Sequence, residues 1–275
     1  MKPENSSVPA SDTAEAHFTT FATPLIEVAV AHAAALQENA DAEVLHKLRV
    51  ALRRLRSLLW AYRPLLDKAL DDRQRNLLKG LAQAAGQTRD WDILIGLLCE
   101  LGDDKAPLDK LRAARVEASN KSRAILSHAA IGSQLDDALR SAQATLDISR
   151  RNTSLKQFAK KRLRSAEKSL RKRMRRASHG SRSNYEAYHE VRKAGKKMRY
   201  LLDFFEPMLA RKHHKSVKKL KRIQKRFGAL NDVVASEGLL AENRSLFDRE
   251  RDARQALKAL EKERRHRVQA AAKLL

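Results

Sequence analysis

The feature of this chain that most limits its possible folds is an internal repeat with an offset of 143 residues. The segment HKLRVALRRLRSLLWAYRP at 46–64 aligns with HEVRKAGKKMRYLLDFFEP at 189–207, and both end at a proline. A weaker match follows at an offset of 142, where LLKGLAQAAGQTRDWDIL at 77–94 aligns with KLKRIQKRFGALNDVVAS at 219–236. The shared order of these segments indicates a duplicated helical unit and predicts two tandem bundles related by pseudo-symmetry.

Each copy of the first segment is predicted to form a helix in which a row of basic side chains lies beside the apolar face. At about 100° of rotation per residue, the apolar face of the first copy is made by Leu48, Leu52, Leu55 and Leu59. The basic rows are His46, Arg49, Arg53 and Arg56 in the first copy and His189, Arg192, Lys196 and Arg199 in the second. An ordinary amphipathic helix points its charges away from its apolar face, so these rows are expected at the edge of the core. Each row extends roughly 15 Å along its helix, and arginine forks suit paired phosphate oxygens.

The composition favours an all-α fold. Alanine and leucine outnumber valine and isoleucine, aromatic residues make up 5%, and the chain has only 9 glycines and 6 prolines. Residues 1–11 are expected to be disordered, with a first bundle at 12–150 and a second at 151–275. The apolar spacing predicts helices at 12–38, 42–62, 65–86, 89–101, 107–130, 133–148, 154–178, 184–205, 208–227, 231–243 and 245–272. Gly86 and Gly228 are predicted to end helices, and Asp90 and Asp232 to lie where the next ones begin.

The positive charge of the chain is concentrated in its second half. The formal net charge is +24, yet residues 1–150 hold 20 basic and 20 acidic side chains, whereas residues 151–275 hold 37 and 13. Such a charge indicates a polyanionic partner, which could be nucleic acid, an anionic membrane or another phosphate polymer.

Two segments carry much of this charge. In HHKSVKKLKRIQKRFG at 213–228 the basic face consists of His214, Lys218, Lys221 and Lys225, and Lys79 is its counterpart in the first half. In KKRLRSAEKSLRKRMRR at 160–176 ten residues are basic, but apolar residues recur every three or four positions, which predicts a packed helix with a cationic outer surface. Arg89, in the turn GQTRDWD, is a further candidate for phosphate contact. The alternative for each of these surfaces is a solvated helix face.

The sequence offers little for catalysis or metal binding. It lacks a glycine-rich phosphate loop and a nucleophile paired with a base, and neither His46 nor His189 has a histidine or carboxylate three or four residues later. No catalytic residue, metal or cofactor is therefore expected. The single cysteine, Cys99, is predicted to be a buried apolar residue. No targeting segment is recognised, and the apolar stretch LIEVAVAHAAAL at 25–36 is too short to span a bilayer, so a cytoplasmic protein is expected.

The two His-x-x-Arg-x-x-x-(Arg/Lys)-(Arg/Lys)-x-Arg motifs, together with LAQAAGQTRDWDIL and RIQKRFGALNDVV, resemble those of the CHAD domain, the conserved histidine α-helical domain. The likeness extends over about residues 15–272. It implies two helical bundles around a basic groove or pore that binds inorganic polyphosphate, with some members located on polyphosphate granules. The ligand-facing set that it implies is the eight residues of the two basic rows. Asp203 departs from the glutamate that the family commonly has after its Arg-Tyr pair.

The function expected from the sequence is thus non-enzymatic polyphosphate binding. The main alternative is general nucleic-acid binding, which would share the cationic surface but should offer aromatic side chains for base stacking. Trp60, Tyr62, Tyr185, Tyr188 and Tyr200 lie near the basic rows, and none forms a clear stacking platform. A phosphohydrolase is disfavoured because carboxylates are sparse around the rows.

Overall fold

The computed structural model describes residues 12–38, 42–149, 152–180, 184–208 and 214–275, for 214–216 only the backbone. Over these residues the chain forms α-helices and no β-strand, which confirms the all-α prediction. The ten helices are α1 (His17–Glu38), α2 (Ala42–Tyr62), α3 (Lys68–Ala84), α4 (Gln87–Glu100), α5 (Leu108–His128), α6 (Ile131–Ser149), α7 (Leu155–His179), α8 (Tyr185–Phe205), α9 (His214–Glu242) and α10 (Glu250–Ala272). The expected disorder of residues 1–11 and the proposed boundary at 150/151 lie outside the described residues.

The buried apolar side chains form two clusters. The larger cluster joins α1, α2, α3, α6, α7 and α8 to the first half of α9, where Phe227 lies. The smaller cluster joins α4, the start of α5 and α10 to the second half of α9, where Leu240 lies. Each cluster therefore takes residues from both sequence repeats, and α9 belongs to both.

The prediction that a helix ends at Gly228 is wrong. Instead of separate helices at 208–227 and 231–243, a single helix, α9, runs through this position, so Asp232 lies within it. The physical reason is packing: Ile223, Phe227, Leu230 and Val233 continue the helical spacing across the glycine, and all four are buried. Their burial outweighs the cost of glycine in a helix, about 1 kcal/mol relative to alanine. Gly86, in contrast, lies at the break between α3 and α4 as predicted.

Two further sequence expectations concern α7 and Cys99. The apolar face predicted for α7, which includes Leu163, Leu170 and Met174, is buried as expected. Cys99 is exposed, so the prediction of a buried cysteine is wrong. The reason is that α4 turns Leu94, Leu97 and Leu98 inward, and Cys99 falls on the opposite face.

The first helix is longer than its central apolar stretch. Over His17–Leu36 it is long and apolar enough to cross a membrane by length and composition alone. The expectation that the apolar segment is too short rested on residues 25–36 only. In this fold α1 packs against α2, α5 and α6, and Phe18, Ala29 and Leu36 are buried in the larger core.

Candidate functional site

The basic rows of the two repeats meet at one groove. α2 packs against α8, and a groove of about 410 Å³ lies between them and α3. Six of the residues predicted from the sequence line it, and they come from all three helices. These six are Arg53, Arg56, Lys79, His189, Arg192 and Lys196.

The apolar positions of α2 and α8 explain why these cations face the groove. Leu48, Leu52, Leu55 and Leu59 are buried, and the adjacent row is carried to the edge of the core, where Arg53 is partly buried. In α8 the residue aligned with Leu52 is Gly195. A Cβ atom there would lie 3.2 Å from Cγ2 of Ile223, so glycine allows α8 and α9 to approach closely. Lys196, the next residue, is partly buried and lines the groove.

Most of the groove cations have no acidic partner. Arg75 and Lys193 are the exceptions: the guanidinium of Arg75 lies 3.0 Å from carboxylate oxygens of both Asp71 and Asp72, and the amine of Lys193 pairs with Glu190. The buried Nε atom of Arg192 has no hydrogen-bond partner among the described residues. Within the described part of the chain, six lining cations make no ion pair: Arg53, Arg56, Lys79, Arg192, Lys196 and Lys197. A cluster of this kind favours a multivalent anion, which could neutralise several of them together.

Burial and mutual repulsion lower the pKa values of basic groups in the groove. Burial, followed by repulsion from Arg53, Arg192 and Arg49, lowers the pKa of Lys196 to about 6. Burial and the neighbouring Lys193 and Arg192 also lower the pKa of His189. Since an anion favours the charged form of each group, a bound polyanion would raise both pKa values.

Replacing Lys196 by methionine is expected to stabilise the protein. The pKa of Lys196 is lower in the folded chain than in the unfolded one, so the unfolded chain binds more protons between about pH 6 and pH 10.5. The reduction in the free energy of unfolding caused by this lysine is therefore largest below about pH 6, and it disappears as the pH rises toward 10.5. We expect a Tm several degrees higher than that of the parent at pH 7, with the difference shrinking at pH 10. Thermal unfolding followed by circular dichroism would measure this difference.

Lys218→Met provides the matched control for that variant, because Lys218 is exposed on α9. Its Tm should follow that of the parent at each pH. An increase for Lys196→Met that did not change with pH would contradict the electrostatic explanation.

The aligned aspartates Asp90, in the first turn of α4, and Asp232, within α9, lie among the arginines of the rows. Burial raises the pKa of Asp90, while Arg49 is the neighbour that most strongly opposes this rise. Asp232 attracts both Arg49 and Arg192. The guanidinium of Arg49 also lies against the first turn, since a Cβ atom on Gly86 would be 3.2 Å from it. Arg49 thus lies next to the groove, near Arg53 and the two aspartates, and is not among the residues that line the groove.

The two motif histidines keep the repeat relationship. His189 Nδ1 lies 3.2 Å from Oδ1 of Asn231, which also accepts a hydrogen bond from the hydroxyl of Tyr185. Asn231 aligns with Arg89, and His46 and Arg89 share a pocket of about 200 Å³. Each histidine therefore lies beside the residue that precedes the aligned aspartate of its repeat. Only His189 lines the groove.

The other predicted site residues lie elsewhere. Arg199 is 3.9 Å from Asp203 and also lies over the ring of Tyr200. Lys221 is a neighbour of Asp203 as well. Lys225 lines a separate basic pocket of about 380 Å³ between α9 and α10. Lys218 is exposed on α9, and the side chain of His214 is outside the described residues.

Sequence reasoning missed several groove cations, chiefly Arg75, Lys193 and Lys197. Lys197 falls about 100° from the basic row on its own helix. It reaches the groove because its Nζ lies 4.9 Å from the centre of the Trp60 ring. The guanidinium carbon of Arg162 lies 4.6 Å from the same ring centre. That contact joins α2, α7 and α8, and no spacing within one segment could have predicted it.

Comparison with known proteins agrees with this architecture. The sequence matches the family model of the CHAD domain over residues 21–241. The fold is similar to the crystal structure of the CHAD domain from the plant Ricinus communis, with a TM-score of 0.78 and 24% identity, covering 98% of this chain and 93% of that chain. It is also similar to PptA from Streptomyces chartreusis, with a TM-score of 0.63 and 15% identity, covering 95% of this chain and 97% of that one. No curated protein sequence matches the chain. Because the family match covers most of its length, the chain belongs to the CHAD domain family.

Proposed function

We propose that this protein binds inorganic polyphosphate in the groove between α2, α3 and α8 and does not hydrolyse it. The observation that carries the proposal is the convergence of cations from both repeats, including Arg53, Arg192 and Lys196, around one groove without acidic partners for most of them. A polyphosphate chain carries a charge on every phosphate, so it can neutralise several neighbouring cations at once. Membership of the CHAD domain family supports the same ligand.

The size and chemistry of the groove favour a thin, flexible polyanion over nucleic acid. A space of about 410 Å³ is too small for a duplex. Single-stranded nucleic acid would gain most from aromatic stacking. Here Lys197 and Arg162 already lie over the ring of Trp60, and Tyr62 and Tyr188 are buried in the core.

The carboxylates near the groove do not form an evident hydrolytic site. Asp71 and Asp72 are both bound to Arg75. Within the described residues, no group of three or more histidine, cysteine, aspartate or glutamate side chains could hold a metal ion. Hydrolysis would need a base or metal to generate a nucleophile, and the arginines and lysines of the groove serve to hold an anion.

A competition assay tests the proposal. Labelled long-chain polyphosphate bound to the protein is challenged with unlabelled polyphosphate, duplex DNA and single-stranded RNA at equal phosphate concentration and fixed salt. We expect polyphosphate to displace the label at a concentration at least about tenfold lower than either nucleic acid, because only the thin chain enters the groove. With magnesium present, phosphate release should stay at background. Displacement by RNA as effective as that by polyphosphate would instead establish a general nucleic-acid binder.

We also propose that the protein is cytoplasmic and associates with polyphosphate granules where cells form them. This location follows from the proposed ligand. A fluorescent fusion that remains diffuse in cells containing such granules would contradict it.

A further inference from the structure

The amine of Lys196 lies beside groups that can hold a phosphate. The positive charges that act most strongly on it are those of Arg53, Arg192 and Arg49, and Asp232 on α9 attracts it. Arg53 and Arg192 line the same groove, as do Lys79 and the ion-paired Arg75 of α3. Lys196 is only partly buried and borders the groove, so a small molecule can reach its amine.

We propose that Lys196 is a site of non-enzymatic acylation by acyl phosphates, with the guanidinium groups of Arg53 and Arg192 holding the phosphate while the amine attacks the adjacent carbonyl carbon. The inference needs only an anion-binding groove, and it does not depend on polyphosphate being the natural ligand.

The reaction is balanced without any further reagent. The neutral amine forms a C–N bond to the carbonyl carbon, and the C–O bond to the phosphate breaks. The electron pair of that bond leaves with the phosphate, and a proton from the amine nitrogen converts it to hydrogen phosphate. The products are an amide on Lys196 and inorganic phosphate, which the arginines stabilise as it forms.

The surroundings of Lys196 distinguish it from the exposed lysines. An ordinary lysine, with a pKa near 10.4, is neutral in only about one molecule in a thousand at pH 7.5. Burial and the surrounding arginines hold the pKa of Lys196 at about 6, so its amine is mostly neutral. A less basic amine is also a weaker nucleophile, which offsets part of this gain, and an advantage of about tenfold in rate remains.

Acylation at this position would alter the groove in two ways. It would remove the positive charge that Lys196 acquires when an anion binds, and it would place an acyl group inside a space of about 410 Å³. Both effects would oppose binding of a polyanion. The modification would therefore report the availability of acyl phosphates as a loss of binding capacity.

The experiment treats the intact protein with acetyl phosphate at pH 7.5 and measures acetylation of each lysine by quantitative peptide mass spectrometry. Lys196 should be acetylated about tenfold faster than Lys218, which is exposed on α9 and does not line the groove. Its rate should level off above about pH 7, where its amine is already mostly neutral. Equal rates at the two lysines, or no acetylation of Lys196, would overturn the inference.

A neutral reagent separates the role of the arginines from simple reactivity. With the N-hydroxysuccinimide ester of acetic acid, the preference for Lys196 over Lys218 should be smaller than with acetyl phosphate. Arg53→Gln should reduce the preference for acetyl phosphate more than the preference for the neutral ester. An identical preference with both reagents would show that the phosphate is not held.

Adding long-chain polyphosphate separates this inference from the proposed function. Protection of Lys196 is expected if polyphosphate occupies the groove. Selective acetylation without protection would contradict the proposed ligand and leave the acylation site standing.

Discussion

Replacing Arg53 and Arg192 together by alanine is expected to weaken the binding of long-chain polyphosphate by about 100-fold or more. The two side chains come from different repeats and line the same groove, and neither makes an ion pair with a described residue. Each hydrogen bond to a charged group contributes about 1.5–3 kcal/mol, so the loss of two should exceed the gain from reduced repulsion. Affinity is measured by titration of a labelled chain at fixed salt.

The matched control removes the same charge from another surface. Lys168 and Lys172 are exposed on α7, outside the groove. Lys168→Ala with Lys172→Ala should change the affinity by about threefold at most, as expected for distant screened charges. If the two double variants lose affinity equally, binding depends on total charge, and the groove has no special role.

The affinity for polyphosphate should also fall steeply as salt is added. Binding of a polyanion releases counterions, with a logarithmic slope of about −0.7 per contact for single strands and about −0.9 for duplex DNA. Lys196 is mostly neutral in the free protein, so contacts to the other five unpaired groove cations predict a slope of about −3.5 to −4.5. Between 50 and 200 mM salt, the affinity should decrease by a factor of about one hundred to five hundred. Isothermal titration at four or five salt concentrations measures the slope.

The same series distinguishes groove contacts from a general attraction to the surface. Arg53→Ala with Arg192→Ala should reduce the magnitude of the slope by about 1.5–2. The Lys168 and Lys172 double variant should retain the slope of the parent. An affinity that hardly changes over this salt range would rule out the electrostatic basis of the proposed function.

What the sequence predicted well was local to single helices. The leucine spacing of α2 fixes which side chains are buried, and the position of Arg53 beside them follows from helix geometry alone. Because Lys196 aligns with Arg53 in the repeat, it was expected to occupy the equivalent position on its own helix. Both residues line the groove, so the central part of the candidate site was accessible without a structure.

What the sequence could not predict depends on contacts between elements. Arg199 aligns with Arg56, but the residue one turn further along is Trp60 in the first repeat and Asp203 in the second. Arg199 lies near that carboxylate, whereas Arg56 remains without an acidic partner in the described structure. Equivalent positions in a duplicated sequence thus acquire different surroundings after a single substitution nearby.

The continuity of α9 through Gly228 has a consequence for how the molecule loses its structure. Since one rigid helix supplies Phe227 to the larger core and Leu240 to the smaller one, melting of either end removes side chains from a packed interior. We therefore expect the two interiors to unfold together in a single cooperative transition, although the sequence is that of a tandem duplication. On this expectation, neither sequence copy forms a folding unit by itself.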